Sequence, residues 1–563
     1  MRDKLFWIKE FLKRTWLLLL VVAIVVIAGE SSVEIIKEEV LKIDPDVQYE
    51  ESGTLYLACE SLDTLNPILS RSEDVFHLSK LIYNSLFDYD STMNVIPELV
   101  DSYTVNATRG LVTIKLKEGI TWHDGSRLTS KDIAYTVNAI RAAGTRSLYY
   151  EKASKISYVY TRGENEADIY FRNAYDASLD DLTFPILPSA QYASAGQLAA
   201  AKENFKPVGT GQYKYQSYNY LKKLKLKPNK KYFGTRAEKK LEVEILPEKN
   251  LASNMLEIQS VTCYIDTSGN RRSTATDKDF TLYDIPSNQV EFLVFHPSHA
   301  CVRDKEMRQA ITTAINRENV LENGYMNDGI LTDTIYYPNF CGVEDTGQAY
   351  AYDAEKAANM LKELGYEDRD NDGILEDANG KTAQLHLLVN KNNSTRLAAA
   401  RLIRKDLENA GFQVTLDEMK WEEYQQAIRA GNYDILVTGF AIDEQYDLRT
   451  FFNGKREWKY YNNQLLSLAS ELEKLHTAEE YTQQFAKLKE ALIDELPYYS
   501  LCYKKIGLVG VQGFSAGSLP MFNDYYKNIE TWSWSYIITS NTEAEEESSS
   551  EKSVSSDENT EKN

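Results

Sequence analysis

The sequence predicts an α/β protein in which helices cover β-sheets. Segments with apolar residues at helical spacing alternate along the chain with short runs of aliphatic and aromatic residues. Strands that alternate with helices imply sheets packed beneath helices, an arrangement that commonly frames a cleft. The length of 563 residues further implies two or three domains, because a single hydrophobic core rarely grows that large.

The predicted strands are short and mostly apolar. Residues 55–59 alternate between apolar and polar side chains, as expected for a half-buried strand. Residues 290–295 and 435–437 are rich in aliphatic residues and predict buried strands. Residues 412–416 alternate again and directly follow a predicted helix.

Two helices have clear start and stop signals. Asp353 is a suitable N-cap for the first helix, which ends at Gly365. Ser394 or Thr395 begins the second helix, which ends at Gly411. The apolar residues that follow helical spacing are Ala357, Met360, Leu361 and Leu364 in the first helix, and Leu397, Ala400, Leu402, Ile403 and Leu407 in the second.

Charge and cysteine content exclude some classes of protein. The net charge of −21 argues against nucleic-acid binding, because an acidic surface repels phosphates. The five cysteines are scattered and form neither a disulfide framework nor a paired metal motif. Residues 55–59 (Leu-Tyr-Leu-Ala-Cys) resemble a lipid-attachment box. However, they lie well beyond the apolar N-terminal run and alternate as a strand, so we interpret them as a strand.

The N-terminal residues have the layout of an export signal. A basic flank precedes the uncharged run of residues 16–28. This run is shorter than the roughly 20 residues that span a bilayer. Residues 1–29 are therefore either a cleaved signal peptide, with cleavage after Ala28, or an uncleaved membrane anchor. Both alternatives place the rest of the chain on the extracytoplasmic face of the membrane, with residues 30–49 as a linker.

The C-terminal residues 541–563 are rich in serine and glutamate. Such a segment cannot bury enough apolar surface to offset its conformational entropy, so we expect a disordered acidic tail. The folded region is accordingly predicted to cover residues 50–540.

Several separated segments of that region resemble the family 5 bacterial extracellular solute-binding proteins, the oligopeptide, dipeptide and nickel receptors of ATP-binding-cassette importers. Each segment is short, and their order and spacing carry the resemblance. They are residues 64–67 (Thr-Leu-Asn-Pro), 81–86, 97–99, 122–125 (Trp-His-Asp-Gly), 129–132, 207–211 (Pro-Val-Gly-Thr-Gly), 304–310, 314–317, 421–452 and 495–497.

The resemblance implies a two-lobed, periplasmic-binding-protein-like clamp of type II, in the three-domain variant that binds peptides. Domain I would comprise residues 50–75, 206–290 and 496–540. Domain II would be inserted as residues 76–205, and domain III as residues 291–495. Trp122 and His123 would brace a structural turn rather than contact ligand.

The chain departs from the family pattern at four points. Arg127 and Gln212 stand where prolines are usual, which affects local stiffness. Phe440 replaces a tryptophan at the cleft, which bears on ligand choice. A lipid-anchoring cysteine after the export signal is missing, which bears on attachment.

The resemblance implies a ligand site around Phe440. In the family's peptide receptors, a carboxylate three residues after the cleft aromatic pairs with the ligand's α-amino group, and Asp443 has that spacing. Burying this carboxylate in a closed cleft is costly unless a cation pairs with it. Phe440 and Tyr446 would line a pocket beside it. The alternative is an exposed acid in a loop that also contains Glu444 and Asp447.

Residues 368–379 resemble a calcium-binding loop. Asp368, Asp370 and Asp372 place oxygen donors at alternate positions before Gly373, and Ile374 and Glu376 offer further oxygens. The twelfth position is Asn379 rather than a bidentate glutamate. The expectation is a structural Ca²⁺ site, and the alternative is an acidic turn.

Two segments resemble motifs of enzymes, but each lacks a residue that the motif requires. Residues 513–517 fit a hydrolase nucleophile elbow, but that fold needs a histidine later in the chain, and the last one is His476. Residues 380–382 resemble the end of a phosphate-binding loop, yet Leu375 stands where its first glycine belongs. We therefore expect a receptor and not an enzyme.

The expected mechanism is a clamp that requires no cofactor. The ligand would be a small peptide or another small solute, bound between lobes that close around it. The closed receptor would dock on an integral-membrane permease with separate ATPase subunits. The alternatives are an envelope sensor or chaperone with the same fold, and a receptor for a nickel chelate or sugar.

Overall fold

The computed structural model describes residues 48–174, 177–248, 250–267, 280–442, 447–472 and 478–538. The chain divides into a large compact unit, Gly53–Ser533, and a small one formed by Met1–Ser52 with Trp534–Asn563. In the small unit, β1 (Gln48–Glu51) pairs antiparallel with β20 (Ser533–Ile538). The predicted export segment and acidic tail lie outside the described residues.

The large unit contains an 11-stranded mixed sheet. Its strands are β2 (Thr54–Cys59), β9 (Tyr213–Asn219), β10 (Lys223–Pro228), β11 (Lys240–Ile245), β12 (Cys263–Asp266), β13 (Phe280–Phe295), β14 (Gly329–Ile330), β15 (Gln384–Asn390), β16 (Gln413–Met419), β17 (Ile435–Ala441) and β18 (Tyr498–Val511). The spatial order is β16-β15-β17-β13-β18-β12-β2-β11-β10-β9, and β14 pairs separately with β18.

A second, antiparallel sheet has four strands in the order β5-β6-β8-β7. They are β5 (Val100–Asn106), β6 (Leu111–Leu116), β7 (Ile156–Arg162) and β8 (Glu166–Phe171). β3 (Phe87–Tyr89) and β4 (Val95–Pro97) form a hairpin, and β19 is Phe514–Ser515.

Helices surround both sheets. They are α1 (Glu73–Ile82), α2 (Ser130–Ala143), α3 (Tyr150–Lys155), α4 (Ala195–Leu198), α5 (Leu251–Glu257), α6 (Lys305–Thr313), α7 (Arg317–Asn319), α8 (Ala354–Glu363), α9 (Ser394–Asn409), α10 (Trp421–Ala430), α11 (Asn463–Leu472) and α12 (Ala478–Glu495). In the ranges that the structure describes, no helix combines the length and apolar character needed to cross a bilayer.

The predicted helices and strands are present. Asp353 caps α8 by accepting a hydrogen bond from the Lys356 amide at 2.8 Å. In α9 the cap is Asn393, one residue before the predicted start. The alternation of residues 55–59 continues through β2, where Cys59 is buried, so this segment is a core strand and not a lipid-attachment site.

Two long strands connect the halves of the large sheet. β13 and β18 pair from Phe280 opposite Val511 to Val294 opposite Tyr498, and their register shifts between Pro286 and Val290. The first half of this ladder adjoins β12, and the second half adjoins β17. Pairing is interrupted there, and because such irregularities bend a strand, we call residues 287–289 the bend in β13.

The motif at residues 122–125 contacts the glycine turn of residues 207–211, a partner that the sequence did not predict. His123 bonds to the carbonyl of Gly211 at 3.0 Å and accepts from the amide of Gly209 at 3.2 Å. A Cβ atom on either glycine would overlap the backbone of Ile82, so the close approach of these segments requires glycine.

Candidate ligand-binding cleft

An aromatic cluster surrounds Phe440 at the end of β17. The Phe440 ring meets the Phe451 ring edge-on, with centroids 5.3 Å apart. Behind them, Trp458 Nε1 donates a hydrogen bond to the Tyr498 hydroxyl at 3.0 Å, and that hydroxyl donates to the Phe451 carbonyl. Phe292 of β13 packs edge-on against Tyr498. These contacts hold Phe440 and Phe451 in fixed orientations at the wall of the lobe.

Arg456 lies over two rings of this cluster. Its guanidinium carbon is 4.1 Å from the Phe440 centroid and 4.4 Å from the Phe451 centroid. Its Nη2 also donates to the Thr450 hydroxyl at 2.9 Å. A cation stacked on aromatic faces is stabilised by the ring quadrupole. Arg456 is therefore packed into the aromatic cluster beside Phe440.

A buried ion pair supports β17 directly beneath Phe440. Arg396 Nε and Nη2 donate to the two oxygens of Glu291 at 2.8 and 2.9 Å, and the Tyr325 hydroxyl also donates to Glu291. Burial acts to lower the pKa of Arg396, but its two bonds to Glu291 outweigh burial and hold it above the usual value. Gly439 provides the space for this pair, because a Cβ atom there would overlap both side chains.

The backbone after Phe440 is tied to the bend in β13. The Ile442 amide donates to the Asn288 carbonyl at 2.8 Å, and Asn288 Nδ2 donates to the Ile442 carbonyl at 2.9 Å. The backbone carbonyl and the side-chain amide of Asn288 therefore both hold Ile442, the residue that precedes Asp443. A change at the bend would move the start of the loop that carries Asp443.

The charge of Lys155 acts on two carboxylates, Asp181 and Asp447. Lys155 Nζ is 2.9 Å from Asp181, and burial raises the pKa of Asp181 to about 6 although Lys155 opposes the shift. Burial acts to raise the pKa of Asp447 as well, but hydrogen bonds from Arg449, with help from the charge of Lys155, hold it below its usual value. Lys155 at the end of α3 thus favours the charged form of both carboxylates.

Two contacts join the segment of residues 337–341 to distant parts of the chain. The Cys341 amide donates to the Thr92 carbonyl in the β3–β4 hairpin at 2.9 Å. The Tyr337 and Phe522 rings lie 5.2 Å apart.

Residues 94–459 match the family model described as bacterial extracellular solute-binding proteins, family 5, middle region. The chain belongs to this family. It is 23% identical over 510 residues to the oligopeptide-binding protein AppA of Bacillus subtilis, covering 86% of this chain and 92% of that protein. It is 25% identical over 419 residues to the dipeptide-binding protein of Escherichia coli, covering 69% and 76%.

Solved structures confirm the predicted two-lobed fold of this family 5 protein. The unliganded open form of the periplasmic murein tripeptide-binding protein MppA aligns with a TM-score of 0.70 at 14% identity, covering 87% of this chain and 99% of that chain. A nickel ABC transporter protein from Bacillus halodurans aligns with the same TM-score and identity, covering 86% and 100%. At such low identity these matches establish the fold alone.

The structure places some of the predicted site residues of this family 5 protein. Phe440 lies near the end of β17 in the aromatic cluster, and its role in ligand binding stays a prediction. Asp443 and Tyr446 lie outside the described residues. Sequence reasoning missed Arg456, Phe451 and Asn288. The density of aromatic residues in 451–460 was the one available signal for the first two, and no motif marks Asn288.

The predicted calcium loop brings three carboxylates together. Single oxygens of Asp368, Asp370 and Glu376 lie within 4.8 Å of one another, and no other such group of His, Cys, Asp or Glu is found among the described residues. Asp372 is not in the group, and its carboxylate accepts a hydrogen bond from the Ile374 amide at 2.8 Å. Gly373 adopts φ +89°, the left-handed conformation expected of the turn glycine.

Proposed function

We propose that this family 5 protein is the extracytoplasmic receptor of an ATP-binding-cassette importer. It binds peptides between its lobes. It delivers them to a membrane permease that separate ATPase subunits drive. The observation that carries the proposal is the similarity to the oligopeptide-binding protein AppA along 92% of the length of that protein. The aromatic cluster around Phe440 supports it, because an aromatic ring suits the apolar side chains of a peptide.

Within the cleft, Asp443 is proposed to pair with the α-ammonium group of the ligand, with Phe440 and Tyr446 lining the adjacent pocket. Asp443 follows Phe440 by the spacing that the family's peptide receptors use. The tie between Asn288 and Ile442 supports this role, because it anchors the start of the loop to β13. A ligand held by Asp443 would therefore be coupled to the bend in β13.

Two further proposals concern attachment and metal. The N-terminal basic and apolar segment exports the chain and either anchors it in the membrane or is removed. The loop of residues 368–376 binds Ca²⁺ through Asp368, Asp370 and Glu376, in a structural role. The three carboxylates support a site at the protein surface, because Asp368 and Asp370 are exposed while Glu376 beside them is buried.

The ligand class is tested by identifying what the purified protein carries. Native mass spectrometry of the full chain should detect a set of short peptides that disappears after denaturation and refolding. Calorimetric titration of the emptied protein with a defined mixture of di- to nonapeptides should then restore binding. A protein that ignores peptides but binds a nickel–histidine complex or a sugar would contradict the proposal and favour the corresponding solute.

A further inference from the structure

One stretch of this acidic protein is strongly basic. Residues 206–240 contain eleven lysines and arginines and a single acid, Glu238, although the whole chain carries a net charge of −21. The stretch forms β9, β10 and the loop that leads to β11. Its charges are therefore concentrated at one edge of the large sheet.

At one end of the β10 strand, glutamates neutralise the lysines. Lys223 Nζ lies 2.9 Å from Glu242 and 2.6 Å from Glu244. Lys225 Nζ lies 2.6 Å from Glu242. These pairs follow from the antiparallel register, which places Lys225 opposite Glu242 and Lys223 opposite Glu244. This end of the hairpin therefore presents little net charge.

At the other end the lysines face each other. Lys227 of β10 stands directly opposite Lys214 of β9, a like-charge cross-strand pair that disfavours the sheet. Lys230 and Lys231 occupy the central positions of a turn closed by the Tyr232 amide and the Asn229 carbonyl at 2.9 Å, and both side chains are exposed. Together Lys214, Lys227, Lys230 and Lys231 form what we call the lysine patch.

The patch has one acidic neighbour, Asp124, beside Lys214. In the part of the chain that the structure describes, no carboxylate lies within ion-pair distance of Lys227, Lys230 or Lys231. Lys214 Nζ donates to the His123 carbonyl at 2.9 Å. Burial, and then the charges of Lys231 and Lys227, lower the pKa of Lys214, although Asp124 opposes the shift. The four lysines thus share a positive field that Asp124 offsets only in part.

We propose that the lysine patch binds anionic phospholipid headgroups on the outer face of the cell membrane. Lysine ammonium groups are compact point charges on flexible stems, which suit a diffuse sheet of headgroups better than one shaped anion. Because the whole chain carries a net charge of −21, such a surface repels most of the protein and attracts the lysine patch. The patch would thereby set the orientation of the receptor on the membrane.

This inference goes beyond ligand binding. It rests on the proposed export, because export places the protein beside the anionic surface of the bilayer. It does not depend on which solute the protein binds. Its failure would leave peptide titrations unchanged, so the two proposals are tested separately.

The test measures the amine acetylation rate of each lysine by mass spectrometry, with the full chain in lipid nanodiscs. We expect discs containing phosphatidylglycerol to slow acetylation of Lys227, Lys230 and Lys231 about fivefold or more relative to phosphatidylcholine discs, the effect of about 1 kcal/mol for each lysine at an anionic surface. One molar NaCl should abolish the difference, because the Debye length then falls to about 3 Å.

Matched double variants localise the effect. In Lys230→Gln/Lys231→Gln, protection of Lys227 by phosphatidylglycerol should largely disappear. In Lys223→Gln/Lys225→Gln, which removes the same charge from the neutralised end of the hairpin, it should persist. Circular dichroism establishes that both variants are folded.

Three results would overturn the proposal. Equal acetylation rates in the two disc compositions would show that the patch does not meet anionic lipid. Equal protection of the distant Lys222 would show a non-specific effect. Protection of the lipid-free protein by inorganic phosphate alone, at matched ionic strength, would show a small-anion site instead of a membrane surface.

Discussion

Gly439 shows how a single residue without a side chain shapes the cleft wall. The bidentate pair of Arg396 and Glu291 occupies the space above its Cα atom, and Phe440 follows directly in β17. A buried ion pair is costly to desolvate, and it persists here because both oxygens of the carboxylate are hydrogen-bonded. The orientation of Phe440 therefore depends on polar groups hidden beneath it.

Replacing Gly439 with alanine should accordingly destabilise the protein. The new methyl group would overlap Arg396 and Glu291, and relieving that overlap typically costs about 1–3 kcal/mol. Urea denaturation measures the change in the free energy of unfolding. Gly53→Ala is the matched control, because a Cβ atom there contacts nothing within 4 Å. Equal effects of the two substitutions would contradict the steric argument.

His123 predicts a specific pH dependence of stability. Burial is the main cause that lowers the pKa of His123 to about 4. Since the unfolded histidine has a pKa near 6.5, the unfolded state binds the extra proton between these values. The contribution of the neutral imidazole is complete above pH 6.5 and is lost as the pH falls towards 4, a loss of up to about 3 kcal/mol.

Urea denaturation between pH 7 and pH 4 tests this dependence. His123→Gln should be less stable at pH 7 and should lose less stability on acidification than the natural protein. His386→Gln, which removes a half-exposed histidine, is the matched surface substitution. If His123→Gln and the natural protein lose the same free energy, the buried turn is not the source of the acid sensitivity.

Asp443 separates a peptide receptor from the other uses of the fold. If it pairs with an α-ammonium group, Asp443→Asn should retain the fold and lose about 2–5 kcal/mol of binding free energy, roughly thirty- to several-thousand-fold in affinity. An N-acetylated peptide should lose a similar amount with the natural receptor.

The two losses should not add, because both changes remove the same interaction. Calorimetric titration of both receptors with free and acetylated peptide provides the four affinities required. If acetylation has no effect, or if Asp443→Asn binds the free peptide normally, Asp443 is only a loop acid.

At the scale of elements, the sequence predicted what local signals determine. Asp353 and Gly365 delimit α8 because a capping side chain and a left-handed glycine act within one turn. α9 begins at Ser394, one of the two predicted starts, and Asn393 caps it. The predicted strand at 290–295 is only the end of β13, whose polar first half pairs with β18 across more than two hundred residues of sequence.

The acidic loop of residues 368–376 yields a prediction about one element. If Ca²⁺ binds through Asp368, Asp370 and Glu376, chelator should lower the melting temperature of the natural protein and leave that of Asp370→Ala unchanged. Asp377→Ala is a suitable control, since Asp377 closes the next turn through the Lys381 amide and should preserve the chelator effect. Differential scanning calorimetry provides the measurement. Equal melting of the natural protein with and without chelator would favour a simple acidic turn.

At the scale of the whole molecule, the fold was accessible from the sequence and much of the cleft was not. The order of short motifs implied the two-lobed architecture, and the structure explains one of them as the contact between His123 and Gly211. The Arg456 guanidinium stacks on the Phe440 ring, a contact that no spacing rule in the sequence predicts. Asn288 reaches Ile442 because two strands distant in sequence pair. Tertiary pairing, and not local pattern, places these side chains.

The bend in β13 provides the last prediction, which concerns closure. Asn288 bonds to Ile442 through its side chain, so Asn288→Ala should loosen the start of the loop that carries Asp443. The loss of one such hydrogen bond is worth about 0.5–1.5 kcal/mol, or roughly two- to twelvefold in peptide affinity. Because closure requires the loop to move with the bend, the ligand-induced decrease in the radius of gyration should also become smaller. Small-angle X-ray scattering at saturating peptide measures this decrease.

Ser287→Ala is the matched control, since the Ser287 hydroxyl accepts from the Gln289 amide and makes no bond to Ile442. A peptide that binds Asn288→Ala and the natural receptor with equal affinity and equal compaction would show that closure does not pass through this contact.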